Sequence, residues 1–164
     1  MNNETLEAII KRLGLVPLGR EGGLHANTYV SDQRTADGEV AGTCIFYLLR
    51  GDAFSHLHRL TGDEIYHFYL GDPVEMLELF EDGTSHTTIL GPDILRNQEV
   101  QHLVRAGTWQ GSHLAEGGSW ALLGTTMCPG YSDGSYTHGD AAELIAQYPD
   151  RAREIALLTG TVVH

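Results

Sequence analysis

Two histidines two residues apart, His56 and His58, are followed closely by an acid, Glu64. On an extended strand, side chains at that spacing share one face. Two imidazoles on one face, and a carboxylate on the next strand after a glycine turn, can converge on one point. Imidazole nitrogens and a carboxylate oxygen are a donor set for a divalent transition metal. Without a metal, the same groups supply a base that titrates near neutrality and an acid beside it. The competing structural reading makes them polar residues that fill a barrel mouth and are held by hydrogen bonds. Close by are the aromatics Tyr66, Phe68, Tyr69, Trp109 and Trp120. Most of these belong in a core, but a small-molecule pocket needs apolar walls with a few polar groups, so Phe68 and Trp109 are candidates to line one. Alternation from Glu64 puts Tyr66 and Phe68 on its face. It puts His67 and Tyr69 on the other, which assigns His67 to a sheet–sheet or subunit contact.

These residues need strands to position them. Residues 28–31 and 43–50 are rich in β-branched and aromatic types, and a polar loop over 32–42 separates them. Short strands then follow over 54–58, 64–70, 74–81, 85–90, 99–104, 107–114 and 119–127. Asp82-Gly83 marks a hairpin, and Gly71-Asp72, Gly91-Pro92 and Gly117-Gly118 mark further turns. About nine strands with frequent turns predict an all-β sandwich or barrel. A short helix over 3–13 precedes them, with Leu6, Ile9, Ile10 and Leu13 on one face, Asn3 able to cap it and Gly14 ending it. Two helices follow: 141–147, with Asp140 and Glu143 as a capping box, and a second from Asp150 to Leu158 beyond Pro149. The Gly/Ser/Asp stretch 130–140 is expected to be a loop.

The chain has 164 residues, which suits a single domain over 1–164. Its formal net charge of −12 disfavours phosphate backbones and anionic lipid, so nucleic acid and membrane are not expected partners. No apolar run is long enough to span a bilayer. Cys44 and Cys128 lie in apolar runs and are expected to be reduced, buried thiols. With no signal peptide the expected location is cytoplasmic. His25, His86, His102 and His138 fall in turns or polar strands and read as surface residues.

Gly51, His56, His58, Glu64 and Gly71 resemble the first motif of the cupin superfamily: a glycine, a His-x-His pair, a glutamate and a glycine seven residues later. The second motif, Pro-x-Gly-x-x-His, corresponds to Arg105-Ala106-Gly107-Thr108-Trp109-Gln110. Gly107 fits, while Gln110 stands at the metal-binding histidine. An amide oxygen is a weaker ligand than imidazole for zinc-class metals. His113 is on the opposite strand face from Gln110 if the strand is regular. Nearly the whole chain, residues 4 to 158, is similar to the DUF985 (cupin-5) family. The resemblance is carried by Leu13-Gly14-Leu15-Val16-Pro17, Thr43 to Leu49, Asp63 to Tyr69, Ala106 to Gln110, Pro129-Gly130-Tyr131 and Glu143 to Pro149. In that family glutamine is usual at Gln110.

The resemblance implies a jelly-roll barrel, usually homodimeric, with a small-molecule pocket. It implies a metal set of His56, His58, Glu64 and Gln110 holding zinc, iron, manganese or nickel. Similarity to cupin isomerases implies proton abstraction next to a carbonyl. His58 or His56 would be the base, Glu64 would lie in the site, Tyr66 would return the proton and Gln110 would bind the substrate oxygen. The alternative is a barrel that binds a small ring compound without chemistry.

Overall fold

Runs of β-branched, aromatic and aliphatic residues form strands through most of the middle of the chain. The computed structural model describes residues 3–161. Helix α1 (Asn3–Leu13) leads into β1 (Val16–Pro17), β2 (Leu24–Val30), β3 (Thr43–Arg50), β4 (Phe54–Leu60), β5 (Asp63–Gly71), β6 (Val74–Leu79) and β7 (Ser85–Leu90). Then come β8 (Gln101–Val104), β9 (Trp109–Leu114), β10 (Trp120–Cys128), β11 (Tyr136–His138), α2 (Ala141–Gln147) and α3 (Ala152–Leu157).

The strands form two antiparallel sheets. The larger runs β1-β2-β3-β10-β5-β8 and the smaller β11-β4-β9-β6-β7. Two facing sheets with helices at the chain ends are the jelly-roll expected from the sequence. Three expectations need adjustment. Strand β2 starts four residues before the expected 28. The two-residue β1 went unread because so short a strand shows no alternation. Strand β11 falls inside the expected loop 130–140, where it lies along β4 with His138 opposite His58. The cap expected from the Asn3 side chain lies outside the described residues.

Apolar side chains sort into three groups. Tyr47, Leu49, Tyr66, Met76, Leu90 and Leu123 fill the space between the sheets. Leu57, Leu77 and Leu79 on the outer face of the small sheet pack under Leu144, Tyr148, Ile155 and Leu158 of the C-terminal segment. Leu6 of α1 covers Leu48 and Leu122 on the outer face of the large sheet. The C-terminal helices therefore cover the strand that carries His58. Asp140 caps α2 by accepting the Glu143 backbone N–H at 3.0 Å. Asp140→Ala should cost about 1 kcal/mol and lower the melting midpoint by roughly 2–4 °C, read by calorimetry.

His102 is not the surface residue expected. It sits on β8 of the large sheet with its Nε2 2.8 Å from Glu78 of the small sheet, and its Nδ1 2.7 Å from Glu99. The bond to buried Glu78 is the main cause of a pKa raised above 6.5, with Glu99 adding and burial opposing. Because the folded value is raised, this clamp stabilises fully below pH 6.5 and loses its effect as pH rises through the folded value. The difference in urea midpoint between the protein and His102→Gln should therefore be larger near about pH 6 than near about pH 9. Equal differences at both would refute the clamp.

Both cysteines are free, but Cys128 is exposed and not buried as expected. Among the described residues, no helix is long and apolar enough to cross a membrane.

Candidate functional site

The site is built where β4, β5 and β9 meet a glycine-rich loop. Strand β5 alternates so that Glu64 and Tyr66 point between the sheets, 6% and 2% exposed, while His67 points outward to Thr126 on the neighbouring β10. His67 thus lies on the outer face of the large sheet, between Thr126 and Gln101. Strand β4 is irregular. Ser55 opposes Ser112 and His58 opposes Gln110, so three steps on β4 match two on β9. This bulge puts Ser55 and His58 on the inner face together and takes His56 out of register. His56 is half-buried where His58 is buried. The His56 ring instead stacks on His138 at 3.6 Å, and its Nδ1 donates to the Leu57 carbonyl.

His58 is 1% exposed, and its Nδ1 donates to the His56 carbonyl at 2.7 Å. That bond fixes the tautomer, so Nε2 carries the lone pair. Tyr136 stacks on the His58 ring at 5.0 Å. Gln110, also 1% exposed, donates from Nε2 to Glu64 Oε2 at 2.8 Å. Its Oε1 is buried without a partner.

Residues 18–23, between β1 and β2, add an acid that was not read from the sequence. Gly22 N–H donates to the Leu18 carbonyl at 2.9 Å, and the Glu21 carbonyl accepts the His56 N–H at 2.7 Å. Tyr47 donates its hydroxyl to the Gly22 carbonyl at 3.0 Å. The pinned loop sends the Glu21 carboxyl inward, where Ser55 donates to it at 3.2 Å. A cavity of about 280 Å³ opens there, with Glu21, Glu64, His25, Asn27, Thr125 and Tyr131 on its polar side and aliphatic side chains around them. His25 is therefore a cavity residue and not the surface histidine expected.

Glu21 retains some exposure as a residue, but its carboxyl is enclosed. Burial pushes its pKa from 4.5 up to about 7, against a small pull from the Ser55 bond. Burial also raises Glu64, and the like charge of Glu21 adds, while His58, Thr125 and Gln110 pull it down. His58 is held below 6.5 by burial, which outweighs Glu64 and the His56 carbonyl. Burial, then Glu64, keeps the Tyr66 hydroxyl protonated, and burial, then Glu21, does the same for Tyr47.

Of the residues the sequence singled out, the structure gathers His58, Glu64, Tyr66 and Gln110. Phe68 packs against the apolar cluster between the sheets. Trp109 does not face the cavity. It is next to Gln110 on β9 and so on the other face, packed with the cluster under the C-terminal helices and with the Arg59 guanidinium 4.7 Å over its ring. His113 is outward, 3.8 Å from Glu75, as alternation predicted. Glu21 had one sequence signal: it is the only acid among residues 16–31, between Gly19 and Gly22-Gly23.

A family model described as Cupin superfamily (DUF985) matches residues 7–138. Protein SO0799 from Shewanella oneidensis has a similar structure, with a TM-score of 0.89 at 28% identity over 99% of this chain and 100% of that one. A hypothetical protein from Leishmania major gives a TM-score of 0.83 at 26% identity, covering 96% and 98%. Oxalate decarboxylase from Bacillus subtilis shares the fold, with a TM-score of 0.56 at 15% identity over 90% of this chain and 38% of that one. Mn(II) centres are described in that enzyme. No curated protein matches the chain.

The residues gathered here do not fit such an ion. The His56 ring is stacked on His138. The Glu64 carboxylate is held by Gln110 Nε2 and by the Thr125 hydroxyl. Among the described residues, no group of three or more His, Cys, Asp or Glu is arranged to hold a metal. Of the expected set of His56, His58, Glu64 and Gln110, Gln110 is hydrogen-bonded to Glu64, His58 lies near Glu64, and His56 is stacked on His138.

Proposed function

From the premise that this chain belongs to the cupin superfamily family DUF985, we propose that its barrel cavity binds a small polar metabolite and transfers a proton at a carbon next to a carbonyl. The observation that carries this reading is the cavity of about 280 Å³ with Glu21 and Glu64 both on its wall. A base works best with a pKa near the operating pH, and burial places Glu21 there, at about 7.

In this reading Glu21 is the acid–base group, taking the place the sequence gave to His58. As a carboxylate it takes the proton from the carbon, leaving an enolate. As a carboxylic acid it returns a proton to that same carbon, restoring the carbonyl with no net change in protons. Glu64 is the fixed group opposite. Gln110, Thr125 and Tyr66 hold Glu64 by hydrogen bonds, and His58 sits behind it as a neutral neighbour. These four are positioning residues. Gln110 Oε1 is buried without a partner. No step uses a zinc, iron, manganese or nickel ion, because the donor set does not suit one. The homodimer is part of the proposal, supported by the exposed apolar Tyr69, Leu70 and Leu103 on β5 and β8. Sedimentation at micromolar concentration checks it.

The test is deuterium incorporation. A panel of small polar carbonyl compounds is incubated with the protein in D2O, and mass spectrometry reads exchange at the neighbouring carbon. At least one compound should exchange, with a rate that rises as pH passes about 7, and Glu21→Gln should slow it by about 10²-fold or more. Binding of panel members without any exchange would favour the alternative, a non-catalytic ligand-binding barrel.

A further inference from the structure

Single exposed leucines are ordinary on a protein surface, but a band of exposed apolar side chains is not. One edge of the large sheet carries such a band. Leu95 is 97% exposed and Ile94 62%, both on a one-turn 3-10 segment, Ile94–Arg96, that leads toward β8. Val100, Leu103, Tyr69 and Leu70 continue it, each between 39% and 52% exposed. Strand β8 lies along β5, with Leu103 opposite Ile65 and the Phe68 N–H donating to the Val100 carbonyl at 2.8 Å. Beside Tyr69 and Leu70 is a groove of about 570 Å³ between α1 and the sheet. Its walls are Ile9 and Leu13 of α1 with Phe46, Tyr69, Leu70 and Leu122 of the sheet. One molecule thus carries an apolar projection and an apolar recess at the same edge.

We infer that the groove is filled by a second copy of this chain, each copy seating its Leu95 against Leu13, Leu70 and Leu122 of the other. A two-fold pair makes this contact twice, because the same surface faces itself. At roughly 200 Å² for a large apolar residue, the six residues of the band expose roughly 1,300 Å² over two copies, within the ~1,200–2,000 Å² of specific stable interfaces. The projection is already held in shape. The Arg96 and Gln98 N–H groups donate to the Asp93 carbonyl at 3.0 and 3.1 Å, and Gln98 Oε1 accepts the Asp93 N–H at 3.0 Å. A segment fixed before docking loses little freedom on docking. Charge agrees as well. Arg12 is on the groove wall after Lys11 in the last turn of α1, while Asp93 and Glu99 outnumber Arg96 around the projection. An anionic lipid surface, the other claimant to an apolar band, is repelled by a chain of net charge −12. This inference rests on the homodimer reading and gives it a specific contact.

The experiment measures dimer dissociation constants by sedimentation for the parent, Leu95→Asp, Leu70→Asp and Tyr29→Asp, with circular dichroism confirming that each is folded. The parent should be a dimer at micromolar concentration. Leu95→Asp and Leu70→Asp should each weaken it by about 100-fold or more, because both contacts of the pair are lost. Tyr29 is exposed on β2, toward the opposite edge of the same sheet, and its replacement should leave the dimer unchanged. A mixture of the Leu95→Asp and Leu70→Asp proteins should pair more tightly than either does alone, since one intact projection then meets one intact groove. General loss of apolar surface would give no such gain on mixing, and its absence overturns the seated Leu95. A dimer unmoved by Leu95→Asp, or one dissociated by Tyr29→Asp, overturns it too and leaves the homodimer standing. A monomeric parent overturns both.

Discussion

Replacing Gly22 by alanine is expected to cost about 3 kcal/mol or more and to remove the function of the cavity. Gly22 has φ +93°, a region in which an L side chain is strained. A Cβ there would also lie against the Phe54 carbonyl oxygen, too close for any relaxed contact. That oxygen is backbone and cannot swing aside. Relief requires the loop to lift, which breaks the Tyr47 bond to the Gly22 carbonyl and the His56 bond to the Glu21 carbonyl. The Glu21 carboxyl then leaves the cavity. Urea unfolding should show a lower midpoint with an unchanged slope. Gly38→Ala is the control: φ is also positive there, at +87°, but no atom lies near the added Cβ. Its cost should be the backbone strain alone, about 1–2 kcal/mol. Equal losses at the two positions would show that the packed loop has no special part.

Removing the charge of Glu21 is expected to stabilise the protein at alkaline pH. The native pKa is pushed from 4.5 up to about 7 by burial. Below pH 4.5 the carboxyl is protonated in both folded and unfolded chains, and there is no penalty. Between 4.5 and about 7 the unfolded chain releases the proton while the native state keeps it, so stability falls as pH rises. Above that window the full penalty remains, about 3 kcal/mol for a shift of this size. Glu21→Gln keeps the shape and an acceptor for Ser55 while removing the ionisation. Its stability should match the parent near pH 4.5 and exceed it by up to about 3 kcal/mol above pH 7. His58, held neutral by burial, gives the opposite slope at acid pH, but it does so in both proteins and cancels in the difference. Urea midpoints of the two proteins across this range check the prediction, and a constant difference at all pH values would refute it. A gain in stability together with slower deuterium exchange would mark Glu21 as a group kept for function at a cost to the fold.

The sequence by itself determined the architecture. Short β-rich runs with glycine turns dictate two antiparallel sheets, and the Asp140 cap and the Pro149 break set the C-terminal helices, because these signals are local. Period-two alternation also placed Glu64, Tyr66 and Phe68 on one face of β5 and His113 away from Gln110 on β9. Only the tertiary structure decided the site. One extra residue in β4 took His56 out of register with β9, and a bulge leaves no mark in residue types. Glu21 reaches Glu64 from across 43 positions of sequence through a loop pinned by Tyr47 and His56. His25 became a cavity residue, and His102 became a clamp between sheets. Trp109 went under the C-terminal helices, which bury the outer face of the small sheet. The reason is physical. Alternation fixes which face of a strand a side chain takes, but what waits on that face is set by chain segments distant in sequence, through packing and hydrogen bonds that no local pattern records.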